Sequence, residues 1–168
     1  MAQIQDTSAE YVKRLTFEDP KIQAKAVIEL LGKLESGRFR AEKKIISALI
    51  DIGTGANAEK SFTSLGIHKI SNEVAKALTL IGADAIESLT RQIKETTNDE
   101  QRKLQKLFEL ASFCLLNGRE KFTKHQRGGL TEAIRGQSKN FGVLYLKQNV
   151  TPWLNCQHNA GNYEPTSK

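Results

Sequence analysis

Ala77-Leu78-Thr79-Leu80-Ile81-Gly82-Ala83-Asp84-Ala85-Ile86-Glu87-Ser88-Leu89 is the stretch on which the fold turns. Leu78 and Ile81 stand three residues apart, so both lie on one face of a helix, and Ile70, Val74 and Ala77 extend that face backward. Gly82 follows where the helix must stop, because glycine accepts backbone angles that let a chain turn sharply. Beyond it Ile86, Leu89 and Ile93 recur at helical spacing. The pattern predicts two consecutive helices, the first capped by Ser71 and the second by Asp84.

The same signature occurs upstream. Shifted by 29 residues, Ile45 meets Val74, Ala48 meets Ala77, Leu49 meets Leu78, Ile52 meets Ile81, Gly53 meets Gly82 and Ala56 meets Ala85. A fainter copy, 21 residues earlier, aligns Ile28, Leu31 and Gly32 with Leu49, Ile52 and Gly53. A helix with one apolar face cannot cover that face by itself, and alanine leaves room for a neighbour to come close, so such copies stack.

The flanking chain reads as further helix. Residues 8–15 place Tyr11, Val12 and Leu15 on one side, and Asp19-Pro20 is a strong start for a helix carrying Ile22, Val27, Leu30, Leu31 and Leu34, with Gly32 and Gly37 bracketing its end. A helix is predicted over 41–52, with Gly53 turning the chain out of it. Residues 54–68 favour a loop, with a helix over 58–65 as the alternative. Asp99 starts the longest helix, to Asn117, in which Leu110, Phe113 and Leu116 widen the apolar stripe toward the full circumference, as in a helix covered by its neighbours. After Gly118 come a basic linker over 119–127, a Gly128-Gly129 link and a short helix over 130–135. Residues 141–146 alternate as in a strand but fit a helical turn equally, and 149–168 are polar. The predicted organisation is one helical domain over 1–148 followed by a flexible tail over 149–168.

The segment from Ala77 to Leu89 resembles the HEAT-like repeat of bacterial and phycobilisome-lyase-type proteins. Their pattern is Ala-Leu, two residues, Ile-Gly, two residues, Ala-Ile or Ala-Val, two residues, Leu. The resemblance covers one repeat well and the preceding one in part, and residues 117–168 fit no repeat. It implies an all-α fold of stacked antiparallel helix pairs, a short α-solenoid, with an irregular helical bundle as the alternative. It says little of activity, because the family is mostly made of binding scaffolds. HEAT-like repeats occur as well in DNA glycosylases for alkylated bases, which rely on aromatic residues and a carboxylate in a concave cleft. Here the one tryptophan, Trp153, lies outside the repeats, and the chain is short for such an enzyme.

Composition fits this class, with 39% hydrophobic and 26% charged residues. Two cysteines, Cys114 and Cys156, read as free thiols of a reducing compartment. The polar first residues lack the apolar core of a signal peptide, and no apolar run reaches the roughly 20 residues of a membrane span. A cytoplasmic protein without membrane contact is expected.

Charge is uneven. Residues 1–100 carry 14 Lys and Arg against 15 Asp and Glu, whereas 101–148 carry 10 against 3. Arg119, Lys121, Lys124 and Arg127 cluster around Phe122, with Arg135 and Lys139 following. Such a segment can neutralise phosphates, and an interleaved aromatic can stack on a base. A solvated basic face, with Phe122 as a core anchor, is the competing reading, and Arg38-Phe39-Arg40 with Lys43 and Lys44 could extend the patch.

Catalytic motifs are missing from the sequence. His68, His125 and His158 stand in no zinc spacing, Cys156 and His158 form only a weak pair in a polar tail, and no phosphate loop, nucleophile elbow or dinucleotide fingerprint occurs. No cofactor, metal or catalytic residue is expected. The expected function is a non-enzymatic scaffold binding a macromolecular partner, a protein. The alternative is nucleic-acid binding through 119–139.

Overall fold

The computed structural model describes residues 7–37, 39–118 and 121–138. Within them the chain forms seven α-helices and no strand: α1 (Thr7–Leu15), α2 (Pro20–Glu35), α3 (Lys43–Thr54), α4 (Ile70–Ile81), α5 (Ala83–Glu95), α6 (Gln101–Asn117) and α7 (Lys124–Ser138). The expected all-α class is the one the chain adopts. None of these helices is long and apolar enough to cross a membrane. The segment 141–146 and the tail 149–168 lie outside the described residues.

The helices alternate in space. α1 packs on α3, α3 on α5 and α5 on α7, while α2 packs on α4 and α4 on α6. Across the layers α1 meets α2, α3 meets α4 and α5 meets α6. These contacts are those of helix pairs stacked in two layers. The helices of the first layer begin at Thr7, Lys43, Ala83 and Lys124, at intervals of 36, 40 and 41 residues. The regular period therefore belongs to alternate helices. The 29-residue match relates α3 to α4, the two members of one pair, because both end in the same apolar signature against a shared core. It is a likeness between single helices and not a repeat of the pair.

The core runs between the layers. Leu30, Ile45, Leu49, Leu78, Leu89 and Leu107 are fully buried in it. The apolar stripe of α6 extends to Leu110, which is buried, but stops short of Leu116, which is half exposed.

Two predicted caps are corrected. α4 begins at Ile70, and its first donors are satisfied by the preceding loop: Ile70 N donates to Lys60 O at 3.0 Å and Ser71 N to Ala58 O at 2.9 Å. Loop carbonyls thereby replace the side-chain cap expected of Ser71. α5 begins at Ala83 with Gly82 as its cap, and Asp84 lies in the first turn, where its charge favours the helix dipole. Asp19 does cap α2, its Oδ1 accepting from Lys21 N at 2.9 Å.

The aligned glycines do different work. Gly82, at φ 90°, makes the whole connection between α4 and α5. Gly53 lies inside α3, and a Cβ there would stand 3.0 Å from Leu110 Cδ1 and 3.1 Å from Val74 Cγ1. Its role is close approach to α4 and α6 and not the turn predicted from sequence. Residues 55–69 form turns, a 3-10 turn at Thr63–Leu65 and an isolated bridge between Phe62 and Ile67, in place of the alternative helix over 58–65.

Candidate functional site

The basic segment divides once its geometry is known. Gly118 N closes α6 on Cys114 O at 2.7 Å, and Lys121 N donates to Gly118 O at 2.8 Å, so the chain turns tightly into α7. Phe122 is carried into the core by that turn and is 4% exposed, so it is an anchor and offers no face to a base. Thr123 and Gln126 then cap α7 reciprocally: Thr123 N donates to Gln126 Oε1 at 2.9 Å and Gln126 N to Thr123 Oγ1 at 3.1 Å. Gly128 and Gly129 lie inside α7 and form no flexible link.

The cations separate accordingly. Lys121 and Lys124 are exposed at the start of α7. Arg127 is partly buried and spends Nη1 on Phe122 O at 2.8 Å. Arg135 lies 3.6 Å from Glu132, one turn back on the same helix. Arg119 and Lys139 lie outside the described residues, as do Arg38, Trp153, Cys156 and His158. Arg40, Lys43 and Lys44 are exposed at the start of α3, but α5 stands between α3 and α7 and exposes Asp84 and Glu87. The two basic groups do not merge, and Phe39 packs edge-on against Tyr11 with ring centroids 5.6 Å apart.

A different feature stands at the other end of the stack. α1 and α2 enclose a groove of about 330 Å³ lined by Glu10, Lys13, Arg14, Phe17, Ile22, Lys25 and Glu29. Phe17 is 50% exposed there. Arg14 ties the groove together, with Nη1 2.9 Å from Glu29 Oε1 and its guanidinium carbon 5.0 Å from the Tyr11 ring centroid. Sequence reasoning passed over Phe17. The available signal was an aromatic among polar neighbours at the α1–α2 corner, two residues past the end of the Tyr11 and Leu15 side.

Two titratable groups elsewhere, Glu59 and Cys114, serve the fold. Glu59 accepts from Lys106 Nζ at 2.6 Å and lies 3.0 Å from Lys69 Nζ, pinning the 55–69 loop to α6. Those two cations hold its carboxyl below the ordinary value. Cys114 is buried and its thiol is pushed up to about 12 by that burial, which leaves no thiolate for nucleophilic chemistry. Among the described residues no three of His, Cys, Asp and Glu converge as metal ligands would. Compared with known proteins, the chain matches no family model, no curated protein and no solved structure.

Proposed function

We propose that the chain is a non-enzymatic, HEAT-like helical scaffold whose α1–α2 groove receives an apolar anchor from a protein partner. The observation that carries this is Phe17, half exposed in a groove that carries both signs of charge through Glu10, Lys13 and Lys25. Large apolar side chains in a depression rimmed by charge mark protein contact surfaces more often than isolated exposed ones do. Among the described residues α1 and α2 have a neighbouring pair on one side only, which leaves their outer faces to form such a groove.

A photo-reactive phenylalanine analogue at position 17, used in the native host, tests this directly. The expected product is one protein crosslinked at that site. The purified partner should then lose roughly 30-fold in affinity for Phe17→Ser, the size of an anchor residue's contribution. Unchanged affinity overturns the groove as the docking site.

Lys121 and Lys124 support the nucleic-acid alternative, which has lost its stacking aromatic and the free use of Arg127. Oligonucleotide binding that falls steeply with salt and disappears in Lys121→Glu/Lys124→Glu would favour it over the protein reading.

A further inference from the structure

A second cleft, of about 300 Å³, opens where the α1–α2 corner meets the C-terminal end of α3. Its chemistry differs from that of the Phe17 groove. Asp51, in the last turn of α3, lines it as an exposed residue, and its side chain makes no hydrogen bond or ion pair among the described residues. That last turn holds no basic residue, so the negative end of the helix dipole adds to the carboxylate instead of being offset. Gln23 is already committed: its Nε2 donates to Phe17 O at 2.7 Å and its Oε1 accepts from Asn57 Nδ2 at 3.5 Å. This fixes the Asn57 carboxamide by its nitrogen and leaves Oδ1 as an acceptor. Leu15, Ala48 and Ile52 supply an apolar wall. Asp51 is exposed, yet loss of water on its cleft side pushes its carboxyl above the ordinary value, with Lys103 of α6 pulling the other way from beyond ion-pair distance.

A site with a carboxylate, a carbonyl acceptor and a helix C-terminus, beside an aliphatic wall, attracts a cation with a short greasy stem. We propose that this cleft binds a protonated primary amine on a short alkyl chain, with Asp51 as counter-ion, Asn57 Oδ1 as second acceptor and Leu15, Ala48 and Ile52 against the methylenes. The same chemistry is offered by a free alkylamine and by a lysine side chain of another protein. The inference stands apart from the role given to the Phe17 groove, since the two depressions share no lining residue.

The test is an amide-resolved NMR titration of the full chain at neutral pH and constant ionic strength. n-Butylammonium should shift Asp51, Gly55 and Asn57 saturably, while n-butanol, its neutral isostere, should not. Asp51→Asn should weaken binding at least about tenfold, the loss of one charge-assisted contact. Lys103→Met, which removes the competing cation, should strengthen it, and each variant is checked for an unchanged melting temperature. A blocked lysine amide separates the sources: tighter binding than n-butylammonium assigns the site to a lysine side chain, and weaker binding assigns it to a free amine. Equal response to n-butanol, or Asp51→Asn binding as tightly as the parent, overturns the proposal.

Discussion

At Gly118 the absence of a side chain is a packing requirement. A Cβ there would meet Thr79 Cγ2 at 2.7 Å, Phe122 Cε2 at 2.9 Å and the Cys114 carbonyl at 3.0 Å. Neither the ring nor the backbone oxygen can retreat cheaply, so Gly118→Ala should destabilise by about 1–3 kcal/mol, read from urea unfolding. Glu59 gives a pH-dependent counterpart. Its depressed carboxyl adds stability that is complete above the unfolded value near 4.5 and is lost as pH falls through the lower folded value. Lys106, whose side chain is only 10% exposed, depends on it, whereas the Glu59 side chain is 44% exposed and screened by water. Glu59→Gln should therefore cost about 1 kcal/mol at neutral pH. The gap to the parent should close once acid has protonated Glu59, and thermal melts across that range would show it.

Single helices were legible wherever an apolar stripe met a strong local boundary. Asp19-Pro20 and the Ile45, Leu49, Ile52 stripe are examples, and α2 and α3 follow them closely. Boundaries set by tertiary contact were not legible. Ser71 looks like a cap, but the carbonyls of Lys60 and Ala58 arrive from a loop whose path no local pattern reveals. α7 is the largest miss, because two adjacent glycines read as a break. Burial of Leu130, Ala133 and Ile134 outweighs their low helix propensity, and α7 runs from Lys124 to Ser138. A Cβ at Gly128 would meet nothing within 4 Å. Gly128→Ala should accordingly stabilise the protein by about 0.5–1 kcal/mol, measured by the same unfolding assay, opposite in sign to the change at Gly118.

On the scale of the molecule, α4 touches α2, α3, α5 and α6, whereas among the described residues α1 and α7 each have a first-layer neighbour on one side only. Stability in a stack is shared between nearest neighbours, so hydrogen exchange should be slowest in α4 and fastest in α1 and α7. Uniform protection along the chain would contradict this. The candidate sites were the least legible part. The basic segment was visible as composition, but whether Phe122 faced a ligand or the core depended on a turn held by Gly118 and Lys121. The groove at Phe17 joins residues from two helices, and the cleft at Asp51 joins three helices and a loop, so no linear spacing announced either.

Gly82 carries one more implication. Its angles, φ 90° and ψ −131°, are the mirror image of an ordinary extended residue. An L-alanine there should strain the corner by about 1–3 kcal/mol even though its methyl would meet no neighbour. D-alanine, introduced by chemical ligation, has its natural geometry at these angles and should raise the melting temperature by restricting the unfolded chain. The corner between α4 and α5 is thus opposite in handedness to the amino acids that surround it.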